Sequence, residues 1–306
     1  MPAAESDLIA KLPQVRGKLR GNAELAKANW FQVGGRAEVL FRPEDTEDLA
    51  YFTKNKPADI PVTVLGVGSN LLVRDGGIDG VVIRLGRGFA YCRTEGEQLI
   101  AGAGCLNSNA VLAAMEDGIG GLEYLSGIPG NIGGALAMNA GAYGNETCNV
   151  LVEAEVIDPK GNIHTLKPEQ IGYSYRHNGL PEGWIFTQGT FRGKKEDREV
   201  IKARIEEIST QRNNTQPVRS RTGGSTFRNP PGHKAWQLID EAGCRGLRVG
   251  GAQISEMHCN FMINTGDATA SDLETLGETV RKRVLNHCGI TLEWEIKIIG
   301  NTTSST

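Results

Sequence analysis

A chain of 306 residues, with 23% charged residues and a formal net charge of −3, is long enough for about two or three domains with sizeable cores and carries no basic excess that would point to nucleic acid. No apolar run approaches the roughly 20 residues of a membrane span, and the first residues, with Glu5 and Asp7 and no apolar segment, do not read as a secretory signal. Cys92, Cys105, Cys148, Cys244, Cys259 and Cys288 lie far apart without a Cys-x-x-Cys pair, which favours reduced thiols in a cytosolic protein, and the histidines form no His-Glu-x-x-His motif, so no metal site is expected.

Residues 5–20 carry Leu8, Ile9, Leu12, Val15 and Leu19 at roughly helical spacing. Residues 44–56 read as a helix entered through Pro43, with acids in its first turn. Short strands are expected at 62–66, 81–85 and 98–102. After the first of them the chain runs into Gly66-Val67-Gly68-Ser69-Asn70. A Rossmann fingerprint would need a third glycine three residues after the second, opening a helix; Leu71 stands there, and strand, turn, strand is the better reading. The P-loop pattern is also absent. Taken alone, the Gly66–Asn70 passage is as readily a tight turn as a phosphate loop. Gly102-Ala103-Gly104 then leads to a helix near 106–117 that ends at Gly118.

Residues 120–144, GGLEYLSGIPGNIGGALAMNAGAYG, hold eight glycines in 25 residues. So much glycine makes a poor helix and a poor strand, because each glycine loses more backbone entropy on ordering than any other residue. A loop of this size in a compact domain is usually functional, and the guest that suits it is a phosphate group cradled by main-chain N–H groups. Two such loops in one chain suggest a diphosphate cofactor. Val152–Ile157 and Asn162–Leu166 flank Asp158-Pro159-Lys160-Gly161, a hairpin turn. Trp184–Phe191 is a further strand, and Arg198–Gln211 a helix with Ile201, Ile205 and Ile208 on one side.

Three passages carry reactive groups. Arg176, in Tyr173-Ser174-Tyr175-Arg176, has the fork that matches a carboxylate, although an isolated arginine is more often a surface ion-pair residue. Ser225, in Gly223-Gly224-Ser225-Thr226-Phe227, has open backbone around it, although such a serine alone is usually a turn residue. Ser271-Asp272-Leu273-Glu274 is a capping box opening a helix that Gly289 stops. The strand Thr291–Ile298 follows, with Leu292, Trp294, Ile296 and Ile298 on one face and Glu293, Glu295 and Lys297 on the other, so alternation does not choose between the two glutamates. The expected tail from Asn301 to Thr306 is polar and disordered. The expected class is α+β.

In this order and spacing the passages form a specific set. They are Trp30-Phe31-Gln32-Val33-Gly34-Gly35-Arg36-Ala37, the Gly-x-Gly-Ser-Asn turn, Ser126-Gly127-Ile128-Pro129-Gly130, and Asn139-Ala140-Gly141-Ala142-Tyr143-Gly144. Tyr175-Arg176, Gly224-Ser225-x-Phe227-x-Asn229-Pro230 and Glu295-Ile296-Lys297-x-Ile299-Gly300 complete it. The chain resembles the UDP-N-acetylenolpyruvoylglucosamine reductases nearly end to end, in their shorter variety without the extra substrate-domain loop and its tyrosine. Lys297 stands where arginine is common in the family, and Asn131-Ile132-Gly133-Gly134 is one of several variants after Ile-Pro-Gly.

The resemblance implies a vanillyl-alcohol-oxidase-type (PCMH-type) FAD-binding fold. Two FAD-binding subdomains, 1–86 and 87–211, would hold non-covalent FAD, a substrate-binding domain would span 212–300, and 301–306 would be tail. Gly66, Gly68, Ser69, Asn70, Ser126, Gly127, Ile128, Pro129, Gly130, Gly133, Gly134, Asn139, Gly141 and Ala142 would bind the cofactor. NADPH would be the co-substrate and a UDP-sugar the substrate of a cytoplasmic, monomeric enzyme. Arg176 would stabilise the enolate that follows hydride transfer, and Ser225 would deliver the last proton. Glu295 would serve while protonated, or by holding Arg176 or a water. Tyr175, Arg228 and Asn229 would bind substrate, with Arg219 and Arg221 as further cations near the diphosphate. Two rival readings share parts of this set: another flavin oxidoreductase of the same fold, and a sugar-nucleotide-binding protein without flavin.

Overall fold

The computed structural model describes residues 7–303. In chain order the principal strands are β1 (Lys18–Glu24), β2 (Arg36–Arg42), β3 (Val62–Leu65), β4 (Leu71–Val73), β5 (Ile78–Arg84), β6 (Cys92–Glu95), β7 (Gln98–Gly102), β8 (Leu151–Ile157), β9 (Ile163–Leu166), β10 (Ile185–Arg192), β11 (Arg248–Val249), β12 (Ala252–Ile254), β13 (Met262–Asn264) and β14 (Lys297–Ile299). The principal helices are α1 (Thr46–Asn55), α2 (Asn107–Glu116), α3 (Ile132–Met138), α4 (Arg198–Thr215), α5 (Ala235–Glu241) and α6 (Ala270–Cys288). The chain divides into two compact units.

The first unit takes the chain up to Gly21, then Val39–Gly66 and Gly80–Gln211. It holds most of a sheet ordered β1-β2-β5-β3, in which β3 and β5 run parallel with Leu65 beside Arg84. It also holds an antiparallel sheet ordered β9-β8-β10-β7-β6. Val39, Phe41, Leu49, Phe52, Val81 and Ile83 make one core, with the Phe41 and Phe52 rings 4.5 Å apart. Leu99, Val111, Leu125, Leu136, Val156 and Phe191 belong to the other. α1 starts as its composition demands: the Asp45 side chain accepts from the Asp48 N–H, and acids fill the first turn. The hairpin of β8 and β9 has the expected turn, with Gly161 at φ +78° and Ile157 opposite Ile163.

Several expectations are corrected. The helical spacing over 5–20 does not make a long helix: Ile9–Lys11 is one 3₁₀ turn and Lys18–Glu24 is β1, while residues 5–6 lie outside the described part. Pro13 offers no N–H to a helix, and the N–H groups of Arg16 and Gly17 donate to the Asp48 carboxylate instead, at 2.8 and 2.9 Å. The apolar residues still pack on the first core. The glycine-rich run 120–144, expected as a loop, contains the helix α3 over Ile132–Met138, because Ile132, Ala135 and Leu136 are buried in the second core. The helix over 198–211 runs on to Thr215.

The second unit comprises Asn22–Glu38, Val67–Asp79 and Arg212–Thr306. β11, β12 and β13 form an antiparallel sheet, and β14 pairs in parallel with β4. Phe31, Leu72, Phe227, Ile239, Met262, Leu273, Leu276, Val280 and Leu292 contribute to its core. The predicted strand over 291–298 is therefore split. Trp294 makes an isolated bridge with Phe227, and regular pairing begins only at Lys297. The tail expectation is corrected at its first residue: the Asn301 N–H donates to the Gly77 carbonyl at 2.8 Å, and its side chain donates to Asp79. Residues 304–306 lie outside the described part.

The capping box of α6 lies two residues before the predicted one. Thr269 caps the helix, and Asp272 accepts from the Thr269 N–H at 3.0 Å. Ser271 falls inside the first turn because a distant carboxylate takes over there: Asp75 accepts from the N–H groups of Ala270 and Ser271 at 3.0 and 2.9 Å. Arg74 adds a two-pronged pair to Glu274 at 2.7 and 2.9 Å. Asp75 therefore serves N–H groups that every helix N-terminus leaves unpaired. Asp75→Ala is expected to cost about 1–2 kcal/mol of folding stability. Urea unfolding measures it, and a loss below about 0.3 kcal/mol would mean that Thr269 alone completes the cap.

Candidate active site

In the first unit, glycines gather around one buried amide, that of Asn131. Its Nδ2 donates to the Ala103 carbonyl at 2.7 Å. A Cβ on Gly66 would run into its Oδ1, and one on Gly134 would lie 3.2 Å from the same atom. Gly104 comes equally close to Gly86, where a Cβ would sit 3.1 Å from the carbonyl oxygen. The ends of β3, β5 and β7 and the start of α3 thus meet through main chain, with no carboxylate among these positions. Such a floor fits the diphosphate of a dinucleotide cofactor, which needs close main-chain approach and no competing negative charge.

Not every predicted cofactor glycine faces a ligand. The Gly133 N–H donates to the Ala103 carbonyl at 2.9 Å, and a Cβ there would lie 2.9 Å from the Ala103 Cβ, so close packing explains this glycine. Gly127 is needed because the Tyr143 ring lies over it. Ser126 donates to the Glu123 carbonyl at 2.7 Å, Ile128 packs on the second core, and Gly130 follows Pro129 at φ +144°. Glu123, buried, accepts from the Gly121 N–H and from Arg204 of α4 at 2.8 and 3.1 Å, which braces the whole passage.

Gly141 and Ala142 pair with Glu146 and Asn145. Against this segment stands the turn Ser174–His177, closed by mutual Ser174 and His177 hydrogen bonds of 3.0 and 3.1 Å. Arg176 occupies the left-handed region at φ +55°, where glycine is usual, and its Nη2 donates to the Gly141 carbonyl at 2.7 Å. Its guanidinium lies 4.9 Å from the Tyr175 ring centroid. The Asn139 amide, fully buried, is engaged at both ends, by Ser174 and Cys148.

In the second unit, the loop Val67–Asn70 is anchored by the Trp30 N–H on the Gly68 carbonyl at 3.1 Å. A Cβ on Gly68 would meet the Asn29 Cα at 2.5 Å. Asn70 donates to the Glu295 carbonyl at 3.0 Å, and a Cβ on Gly224 would lie 3.8 Å from the Ser69 carbonyl oxygen. Ser225 bridges to Phe261. The neighbouring Thr226 takes the Asn260 carbonyl at 2.7 Å and offers its own carbonyl to the Glu295 N–H at 2.9 Å. Ser225 and Glu295 are thereby brought onto adjoining backbone, whereas Arg176 belongs to the first unit. Glu295 is half-buried; Glu293 is exposed and 3.9 Å from Arg228.

The predicted substrate cations differ in their engagements. Arg221 donates to the Gly266 carbonyl at 3.2 Å. Asn229 uses its Oδ1 to accept from the Ala235 N–H at the start of α5. Arg219 lines a cleft of about 760 Å³ with Arg248 and Met257. The Nε of Arg228 is buried without a protein hydrogen-bond partner among the described residues. Sequence reasoning missed Asn131, Gly86 and Gly104 as parts of the floor. The available signal was repetition, since Gly102-Ala103-Gly104 follows a strand as Gly66-Val67-Gly68 does.

Residues 37–167 match an FAD-binding domain, and residues 216–299 match the UDP-N-acetylenolpyruvoylglucosamine reductase C-terminal domain. Together the two matches define an FAD-dependent oxidoreductase of mixed α and β structure. The chain is 59% identical to the UDP-N-acetylenolpyruvoylglucosamine reductase of Parvibaculum lavamentivorans, over 98% of this chain and 97% of that protein. It is 57% identical to that of Azorhizobium caulinodans, over 96% and 95%. The crystal structure of the reductase from Thermus caldophilus is 38% identical, with a TM-score of 0.80 over 93% of this chain and 99% of that one. The chain belongs to the UDP-N-acetylenolpyruvoylglucosamine reductase family. No helix among the described residues is long and apolar enough to cross a membrane.

The thiols near these loops are poor nucleophiles. Burial, with Cys92 beside it, pushes the Cys105 thiol up to about 12, and burial also raises that of Cys148. FAD is therefore expected to be held without a covalent bond. Acid precipitation of the flavin-loaded protein should leave all flavin in the supernatant, and flavin on the pellet would contradict this.

Proposed function

We propose that the chain reduces the enolpyruvyl ether of UDP-N-acetylenolpyruvoylglucosamine to UDP-N-acetylmuramate, with NADPH as reductant, in peptidoglycan precursor synthesis. Identity above half with named reductases over nearly the whole chain supports the substrate class. The observation that carries the mechanism is Arg176, an arginine held where the backbone favours glycine, at φ +55°. Backbone strain of this kind clusters at active sites, which supports a functional role for the side chain it presents.

Bound FAD supplies the hydride carrier between NADPH and the substrate's vinyl carbon. Arg176 meets the negative charge that spreads into the substrate carboxylate, because a planar guanidinium matches that group with two parallel donors. Fixed donors of this kind lower a barrier because they need no reorganisation as charge develops. Ser225 donates its hydroxyl proton to the neighbouring carbon. Glu295 acts while protonated or through a group it orients, since a bare carboxylate beside an enolate would repel it. Arg228 and Tyr175 bind substrate, and the buried, unpartnered Nε of Arg228 supports an anionic guest. Asn229, whose Oδ1 holds the start of α5, offers its amide N–H₂ for that task. Gly66, Gly68, Ser69, Asn70, Ser126, Ile128, Pro129, Gly130, Gly134, Gly141 and Ala142 serve the cofactor. We place the enzyme in the cytoplasm as a monomer, a setting consistent with six free cysteines.

Ser225→Ala should leave flavin reduction by NADPH nearly unchanged and slow reoxidation by substrate roughly 10²–10⁴-fold. Stopped-flow absorbance separates the two half-reactions, and equal slowing of both would deny Ser225 the proton. In the same assay, Glu295→Gln should slow substrate reduction severely while keeping flavin. Glu293→Gln, on a side chain 76% exposed, should change stability by no more than about 0.5 kcal/mol and the rate little. The reverse ranking would put the functional acid two residues earlier.

A further inference from the structure

The Asn139 side chain ties two segments of the first unit together. Asn139 ends α3 in the left-handed conformation, at φ +43°, and is 0% exposed. Its Oδ1 accepts from the Cys148 N–H at 2.9 Å, and its Nδ2 donates to the Ser174 carbonyl at 3.1 Å. The amide cannot be turned over: an N–H only donates and a carbonyl only accepts. Ser174 opens the turn that carries Tyr175 and Arg176, and the same carbonyl accepts from the His177 N–H at 3.1 Å. Two neighbouring bonds join the same segments, Arg176 to the Gly141 carbonyl at 2.7 Å and Asn178 to the Ala137 carbonyl at 2.6 Å. With one bond at each polar end and no exposed surface, the amide lies beneath the segments it joins and presents no face to a cofactor.

We propose that Asn139 is a positioning residue, which sets the Tyr175–Arg176 turn and thereby the aim of the Arg176 guanidinium, and is not a cofactor ligand. This rests on the role given to Arg176 above. The turn needs such a fastener because Arg176 sits in a conformation that an L-residue leaves when unconstrained. A guanidinium misplaced by about 1 Å can cost roughly 10²-fold in rate.

Asn139→Asp isolates the fastening. Aspartate has the same shape, tolerates the left-handed region, and still accepts from the Cys148 N–H, but it sets an oxygen against the Ser174 carbonyl. Asn139→Gly is the companion variant: it keeps the helix end free of strain and removes both bonds, so folding is preserved if the aspartate variant is lost. FAD affinity is read by flavin fluorescence on reconstitution, and the two half-reactions by stopped flow, each variant being made alone and with Arg176→Ala. FAD affinity and reduction by NADPH should stay within about threefold, while reoxidation by the enolpyruvyl substrate slows roughly 10–10²-fold. In the Arg176→Ala background the same change should add less than about threefold, because a residue that acts through Arg176 has nothing left to position.

Equal slowing in both backgrounds would show a merely structural role and overturn the proposal. Loss of FAD affinity would overturn it in favour of a cofactor ligand. A slow Arg176→Ala enzyme with unimpaired Asn139 variants would overturn the positioning role alone. An Arg176→Ala enzyme of undiminished rate would overturn both this role and the reading of Arg176.

Discussion

The first unit depends on a buried amide that only main chain can approach. Asn131 sits at 6% exposure, and a buried amide is costly unless its polar atoms find partners. It binds the Ala103 carbonyl, which also receives the Gly133 N–H, so one oxygen carries two donors. The next residue repeats the connection, the Ile132 N–H donating to the Cys105 carbonyl at 2.9 Å. These bonds hold the start of α3 against the end of β7. They leave no room for a Cβ at Gly66 or Gly133. The glycines that look like a ligand signature are therefore of two kinds. Gly133 and Gly127 satisfy packing, while Gly66 and Gly134 let main chain close around the Asn131 amide.

Backbone strain is distributed unevenly along the chain. Among the described residues, Asn22, Gln32, Asn139, Tyr143 and Arg176 adopt positive φ without being glycine. Each costs about 1 kcal/mol or more, least for asparagine, whose short side chain tolerates the region. Asn139, Tyr143 and Arg176 belong to the two segments joined by the Asn139 and Arg176 side chains. Tyr143 is held as well, its ring over Gly127 and its hydroxyl 3.5 Å from the Ile208 carbonyl of α4. Conformations of this kind persist only where surrounding contacts overdetermine them. Here the contacts are side chain to main chain, and they converge on the arginine assigned to the substrate carboxylate.

Local signals were legible where one element answers to its own residues. Gly118 and Gly289 mark helix ends, Asp158–Gly161 marks the hairpin, and Gly-x-Gly-Ser-Asn between β3 and β4 declares a turn. What failed involved partners distant in the chain. Thr269 and Ser271 are both plausible caps of α6, and the choice was made by Asp75, nearly two hundred positions away. The stretch 5–20 had helical spacing, yet Asp48 captured the N–H groups of Arg16 and Gly17. The final strand alternates correctly, Leu292 and Ile296 being buried, but its pairing depends on Phe227 and β4. The candidate site followed the same division: its glycines were visible as composition, while Asn131 became visible only with the contacts that bury it.

Assigning the last proton to a serine imposes a structural requirement. A hydroxyl is a weak acid, so its rate must come from placement and not from proton affinity. Placement by a flexible loop would lose that benefit. The segment carrying Ser225 is instead treated as a strand without being one: the Asn260 side chain accepts from the Phe227 N–H at 2.9 Å and donates to the Phe227 carbonyl at 2.8 Å, as a neighbouring strand would. On the other side the Thr226 carbonyl holds the Glu295 N–H, and the Phe227 and Trp294 rings lie 5.0 Å apart. Gly224, at φ +79°, turns the chain into this clamp, and Gly223 passes beneath the Phe31 ring, where any side chain would collide. The separation of Ser225 and Glu295 is thus set by paired main chain, which cannot relax one without the other. That is the rigidity a weak acid needs if it is to act at carbon.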